Sequence, residues 1–315
     1  MKILITGSTG FIGKHLLNNL EKGPYHLGLL VRERGGCPKS TPRRSSDPFF
    51  IQGDLANFDL LRGRIAEFSP DVCIHLAWDG VPDYSLEWAK KNLHQSINLV
   101  DFLVRETHCK KIIMSGSCYE YGRVLGACKE SDKTKTTSYI AWAKQSLFNY
   151  SSLLCKEFSR DLIWFRLFYV YGPGQRSDAL VPSVVNTYRR GEVPAIKNPY
   201  CSHDFIYIED VVKAFELSLE MKVKSGIYNL GTGRTTSVLD ICKWVAEKMD
   251  CSNLLGAMLL TKPKDAVDFW ADMKRFERAF EWNPKISVEE GMRRYIVDLL
   301  QNSRTVDNPA WTKAY

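Results

Sequence analysis

Gly7, Gly10 and Gly13 follow the apolar run Lys2–Thr6 at a spacing of three and three, and a segment with apolar Phe11, Ile12, Leu16, Leu17 and Leu20 begins at once. A strand, a glycine turn and a helix start in this order can hold a dinucleotide pyrophosphate. Gly7 lets the chain turn off the strand, Gly10 removes a side chain that would block the phosphates, and Gly13 lets helix and strand pack closely. The free N–H groups and the positive dipole end of the helix, opened by Phe11 and Ile12, then face the anion. A glycine triplet also occurs in ordinary turns, but here a second strand over His26–Val31 ends about 20 residues on, which is the context the motif requires. At its end Arg32 can pair a 2′-phosphate and select NADP, while adjacent Glu33 can take a ribose hydroxyl and select NAD. The balance favours NADP, with NAD as the alternative. Asp54 and Leu55 follow the third strand, where a carboxylate and neighbouring backbone could hold an adenine amino group; a turn-forming Asp is the plainer use. Leu76, Ala77 and Trp78 end the fourth strand, where backbone-exposing residues let ribose and pyrophosphate lie across the sheet edge. His75 reads as a structural histidine and Asn92 as a buried polar pin.

These residues need a scaffold, and the chain supplies one in its alternation. Strand-like runs at Lys2–Thr6, Leu27–Val31, Phe49–Gln52, Val72–Leu76, Lys111–Ser115 and Leu162–Leu167 are separated by amphipathic segments. That rhythm predicts an α/β fold, a doubly wound parallel sheet of Rossmann type covered by helices on both faces. After Tyr171-Gly172-Pro173-Gly174 the rhythm changes, and Pro182, Pro194, Pro199, Pro263 and Pro284 break it up. We expect residues 1–172, with a returning segment at about 204–230, to form the dinucleotide-binding domain. Residues 173–203 and 231–315 would then make a smaller mixed α/β substrate domain. Residues 33–48 read as a surface loop, and 303–315 lack a helical period.

Composition narrows the function classes. The 315 residues are 44% apolar and 25% charged, ordinary for a globular protein. Nine cysteines are scattered without a CxxC pair, which argues for a reduced, cytoplasmic protein and against a disulfide framework or a metal site. No apolar run reaches the length of a membrane span, and the N-terminus starts a strand rather than a signal peptide. Net charge is +7. The one dense basic run, Arg32 to Arg44, sits in a Gly/Pro/Ser-rich loop without interleaved aromatics, so nucleic acid is not the expected partner; anionic small molecules are.

Taken together, the glycines, Asp54-Leu55, His75-Leu76-Ala77, Asn92, Tyr121-Gly122, Arg166-Leu167-Phe168 and Tyr171-Gly172-Pro173-Gly174 resemble the extended short-chain dehydrogenase/reductases. That family comprises nucleotide-sugar epimerases, dehydratases and 4-ketoreductases. Further matches run through Asp204-Phe205-Ile206-Tyr207-Ile208-Glu209-Asp210, Tyr228-Asn229-Leu230-Gly231-Thr232-Gly233 and Trp282-Asn283-Pro284, so the resemblance covers nearly the whole chain. It implies an NAD(P)-dependent enzyme on a nucleotide-diphosphate sugar, and homodimerism through two helices packed as a four-helix bundle.

In such enzymes a Ser or Thr after the fifth strand polarises the substrate oxygen. A Tyr four residues before a Lys exchanges the proton, and the Lys lowers the phenol's pKa from about 10 and holds the nicotinamide ribose. Ser117 matches the serine and Lys144 the lysine, but the position four before Lys144 is Ile140. Tyr139 lies one residue early, and five residues on an ideal helix separate side chains by roughly 140°, so the pair would not share a face. A π-bulge within 140–143 would restore the register, or Tyr139 could reach in from before the helix. Alternatively Tyr119 or Glu120 supplies the acid, or the chain binds its cofactor without turnover, as a regulator or scaffold.

Dehydratases of the family carry an Asp-Glu pair directly after the catalytic Thr, where this chain has Cys118 and Tyr119. The stretch Ser117 to Gly122, with His75-Leu76-Ala77-Trp78, looks more like the reductases of 4-keto-6-deoxy nucleotide sugars. Reduction of such a sugar is the expected reaction, with an epimerase or an atypical dehydratase as rivals. By the same resemblance Cys118 and Tyr119 border the sugar, while Arg176, His203 and Lys262 stand where the family clamps the diphosphate. His203 and Lys262 replace arginines, exchanging bidentate forks for a titratable ring and a point charge.

Overall fold

Strand β1 (Lys2–Thr6) is covered on both faces because its successive side chains point to opposite sides of the sheet. Ile3 and Ile5 enter one hydrophobic layer and Leu4 the other. The computed structural model describes residues 1–32, 47–122, 124–220, 222–255 and 269–302. Within these, β1 is joined by β2 (His26–Val31), β3 (Phe49–Gln52), β4 (Val72–His75), β5 (Lys111–Ser117), β7 (Asp161–Leu167) and β11 (Gly226–Leu230). Their order is β11-β7-β5-β4-β1-β2-β3, every pairing parallel. The expected doubly wound sheet is present, and its first six strands fall on the six apolar runs.

One layer holds Leu16 and Leu20 of α1 (Phe11–Leu20) and Val211, Ala214 and Phe215 of α6 (Ile208–Leu217). The other is filled by α2 (Asp59–Phe68), α3 (Leu86–Glu106) and α4 (Tyr139–Glu157). The same alternation recurs in β7, where Ile163 and Phe165 face the first layer and Leu162 and Trp164 the second. Burying each such side chain stabilises the fold by roughly 1.5–3 kcal/mol.

The remainder is built from short pieces. Strands β8 (Tyr169–Tyr171) and β10 (Phe205–Tyr207) pair in parallel. A four-stranded sheet runs β12-β9-β13-β6, from Thr236–Ser237, Ser202–His203, Phe269–Ala271 and Gly126–Cys128. Helices α5 (Leu180–Arg189), α7 (Val238–Lys248), α8 (Lys274–Phe280) and α9 (Val288–Asn302) complete it. Asp204 knots these pieces together. Its buried carboxylate accepts from Thr232 N–H and Oγ1–H at 2.6 and 2.7 Å, and from Gly233 and Ala271 N–H at 3.0 Å each. No helix among the described residues is long and apolar enough to cross a membrane.

Candidate active site

The C-terminal ends of β1, β2 and β4 open onto a cleft of about 250 Å³ bordered by Gly7, Gly10, Arg32, Asp54, Leu55, Leu76, Ala77 and Trp78. Gly7 has φ +73°, a region L side chains rarely adopt, and a Cβ there would stand 2.6 Å from the Ala77 nitrogen. At Gly13 a Cβ would run into the Gly7 carbonyl. Gly10 is the residue before α1, in extended conformation and without a capping side chain. The helix start is therefore bare backbone facing the cleft, a cradle that suits a pyrophosphate. Phe11 and Ile12 are half-buried against the core at the first turn.

Polar pins hold the rim of this cleft. Asn92 on α3 accepts from the Asp79 N–H at 2.7 Å and donates to the Asp79 and Trp88 carbonyls at 2.9 and 2.8 Å. Asp54 accepts from the Ala56 N–H at 2.8 Å, so it shapes the turn it starts as well as lining the cleft. His75 is buried between Thr6 Oγ1 at 2.6 Å and Ser96 Oγ at 2.9 Å. Burial, reinforced by the Lys144 charge, lowers its pKa to about 3, so it is a neutral structural ring. Arg32 reaches the cleft but pairs with Asp79 at 3.0 Å. Glu33 lies outside the described residues, as do most of the loop expected at 33–48, the terminal stretch 303–315, and Lys262.

At the ends of β4 and β5 the cleft meets the corner that holds Ser117 and Lys144. Lys144 is buried; its Nζ donates to the Ser115 carbonyl at 2.7 Å and stands 3.7 Å from the centre of the Trp78 ring. Burial brings its pKa down to about 7 against the opposing pull of the Glu120 carboxylate. Ser117 ends β5 and accepts the Tyr119 N–H at 3.2 Å, which leaves its hydroxyl proton free to be donated.

Three expectations are corrected here. Helix α4 is a regular α-helix from its first residue, with Ser138 accepting the Ala141 N–H at 3.3 Å, and no π-bulge restores the register. Tyr139 opens it half-exposed (52%), while Ile140 is buried (8%). Glu120 is no spare acid: it is 1% exposed, pairs with buried Arg166 at 2.9 Å, and accepts from Trp164 Nε1 at 3.0 Å and from the Ser117 N–H at 2.9 Å. Cys118 is buried among the core residues, where desolvation pushes its thiol pKa up, so it packs rather than borders the sugar.

Tyr119 and His203, separated by most of a domain in sequence, come together through a residue not foreseen. Tyr169 stacks on His203 with ring centres 4.3 Å apart and meets Tyr119 edge-on at 6.3 Å, and Tyr84 meets Tyr119 from the other side at 6.3 Å. The only hint of Tyr169 was its place just after Arg166-Leu167-Phe168. Arg176, after the turn at Gly172–Gly174, is held by Asp178 at 2.6 Å. That turn docks on α1, with His15 Nε2 2.7 Å from the Pro173 carbonyl oxygen. Among the described residues no group of three or more His, Cys, Asp or Glu is placed to hold a metal ion.

A Rossmann sheet with a glycine cradle at one end and a Ser/Lys corner beside it defines a nucleotide-dependent oxidoreductase of the extended short-chain dehydrogenase/reductase class. The sequence matches the NAD dependent epimerase/dehydratase family over residues 3–231, and the chain belongs to that family of enzymes. It is 25% identical over 308 residues to the dTDP-4-dehydro-6-deoxyglucose reductase of Escherichia coli, covering 93% of this chain and 96% of that one. The crystal structure of the UDP-glucuronic acid 4-epimerase of Bacillus cereus with NAD superposes with TM-score 0.80 at 25% identity, over 96% of this chain and 99% of that one. The UDP-glucose 4-epimerase of Thermotoga maritima has the same fold, with TM-score 0.81, 23% identity and coverage of 96% and 100%.

Proposed function

We propose that the enzyme uses NAD to reduce the 4-keto group of a nucleotide-activated 6-deoxyhexose. The observation that carries this is the placement of Lys144 against the end of β5, where Ser117 stands, with no Asp-Glu pair following that serine. The position after Ser117 is a packed cysteine, and Glu120 is committed to Arg166. Among the described residues, the positions that follow Ser117 thus offer no free carboxylate for water elimination, whereas carbonyl reduction needs only a hydride, an oxygen-binding hydroxyl and one proton. The bound nicotinamide would supply the hydride.

Ser117 donates a hydrogen bond to the keto oxygen, and the Tyr119 N–H, donating to Ser117 Oγ, fixes where the hydroxyl sits. Lys144 spends one proton on the Ser115 carbonyl and has others for the nicotinamide ribose. Tyr139, exposed at the first turn of α4, gives the proton to the alkoxide by swinging its ring toward the cleft when substrate binds. A second reading has Lys144 give it, favoured by a pKa near neutrality. Arg176, His203 and the Tyr119–Tyr169 rings receive the nucleotide diphosphate. NAD is preferred to NADP because Asp79 already neutralises Arg32, so a 2′-phosphate must compete with a carboxylate for the same guanidinium.

The test is purified enzyme with NADH and dTDP- or UDP-4-keto-6-deoxyglucose. Stoichiometric oxidation of NADH with formation of the 6-deoxyhexose is expected. Sugar isomerisation without net oxidation would replace the reductase with an epimerase, and tight NADH binding without turnover on any keto sugar would sink the enzymatic reading.

A further inference from the structure

A cavity of about 780 Å³ shares no lining residue with the dinucleotide cleft. It flanks β11, the edge strand of the main sheet, between the loop after β6, the segment leading into β11 and the outer face of α8. Its volume falls in the range of roughly 300–1,000 Å³ typical of small-molecule sites. Six cationic side chains line it: Lys129, Lys222, Lys224, Lys274, Arg275 and Arg278.

What distinguishes these cations is that six of them gather around one concavity with only two carboxylates, Glu130 and Asp272, among them. Elsewhere on the surface Arg62, Arg105, Arg176, Lys213, Arg293 and Arg294 each hold a carboxylate. Among the described residues, none of the six in the cavity has one within ion-pair distance. Arg275 lies over the buried Tyr228 ring, 5.2 Å from its centre, which fixes the guanidinium at the cavity wall. The two carboxylates present are engaged by backbone. Glu130 accepts the Asn229 N–H at 2.8 Å and Asp272 the Lys274 N–H at 3.0 Å. Burial raises the Glu130 pKa from its ordinary value, against the lowering pull of its backbone hydrogen bonds and of Arg275. Lys274 and Arg278, four apart on α8, repel one another along the helix. Like charges gathered around a concavity focus a positive potential in it.

We propose that this cavity is a binding site for a compact polyanion of the polyphosphate class, separate from the dinucleotide cleft. Several phosphoryl groups, spaced a few ångströms apart, match cations arriving from three different elements better than a single monovalent anion does. Arg275 and Arg278 offer forked donors and the lysines point charges.

Inorganic tripolyphosphate added to the full chain at low ionic strength, followed by acetylation and peptide mass spectrometry, reads the site lysine by lysine. Lys129, Lys224 and Lys274 are expected to become protected, while exposed Lys90 and Lys248 remain reactive. In Lys274→Ala/Arg278→Ala the tripolyphosphate concentration giving half protection of Lys129 should rise by roughly tenfold or more, since two charge-assisted contacts are gone. Undiminished acetylation of the cavity lysines in the wild-type chain, or protection of Lys129 at an unchanged concentration in the double variant, would overturn the proposal. Protection given only by a long RNA or heparin, and never by tripolyphosphate, would overturn it too. The wild-type footprint stands whether or not the variant folds. It is also indifferent to the reaction proposed above, because no keto sugar or NADH is present.

Discussion

The dinucleotide cleft and the Ser117–Lys144 corner meet at Trp78, yet they are made of different materials. The cleft is made largely of main chain: three glycines, a bare helix start and strand ends, with side chains mainly trimming its rim. The corner is made of side chains whose direction depends on where a helix starts. One residue of offset in α4 leaves the backbone cradle untouched but turns Tyr139 outward and Ile140 inward. A site built from backbone follows from the fold; one built from side chains depends in addition on a register that the fold does not enforce.

The largest test of this contrast lies beneath the corner. Glu120→Ala removes the partner of Arg166, a guanidinium that is 2% exposed, and also frees the Ser117 N–H. Leaving one charge of a buried pair alone costs about 3–5 kcal/mol. Urea unfolding should show that loss, while NADH affinity of the folded fraction holds. A loss below about 1 kcal/mol would mean the pair behaves as a surface one.

Next in size is Tyr139→Phe. If the exposed phenol is the acid, turnover should fall by roughly a hundredfold with NADH binding unchanged. If Lys144 is the acid, turnover survives. Its rate of reduction then declines as pH rises through about 7, because the ammonium that must give the proton is lost above its lowered pKa. The pH profile of the variant therefore separates an exposed phenol from a buried ammonium as the source of the proton.

The smallest effect is expected at the rim of the cleft. Asp79→Ala frees Arg32, so the ratio of NADP to NAD affinity should rise by about tenfold, the worth of one charge-assisted contact. Fluorescence titration with both reduced dinucleotides measures it. An unchanged ratio would show that Arg32 does not face the 2′ position.

The same contrast explains what could be read in advance. Gly7, Gly10 and Gly13, the six apolar runs and the structural roles of His75 and Asn92 were legible because local rules decide them: φ at a turn, period-2 burial, a polar atom that must find a partner. The sequence leaves Glu120, with Tyr119, as an alternative acid because the partners that engage its carboxylate are distant in sequence. Trp164 and Arg166 come from β7, and only the sheet register brings them under Ser117. Tyr169 escaped notice for the same reason, since its stacking on His203 is a meeting of two short strands rather than a motif. The register problem at 139–140 was visible, but its outcome depended on where Ser138 would cap α4, a matter of one residue that pattern alone cannot decide.

The order in which the main sheet is assembled has a consequence for synthesis. Strand β11 closes the edge beside β7, pairing Gly226–Leu230 with Ile163–Leu167, yet it is translated only after all of the segments from β8 to α6. A nascent chain that has released β7 but not β11 pairs β7 with β5 on one side and leaves its other edge, along Ile163, Trp164 and Phe165, open. An apolar open edge of this kind invites pairing with a neighbouring chain. Until β11 emerges, that edge of β7 has no partner within its own chain, and the sheet is complete only when Gly226–Leu230 arrives.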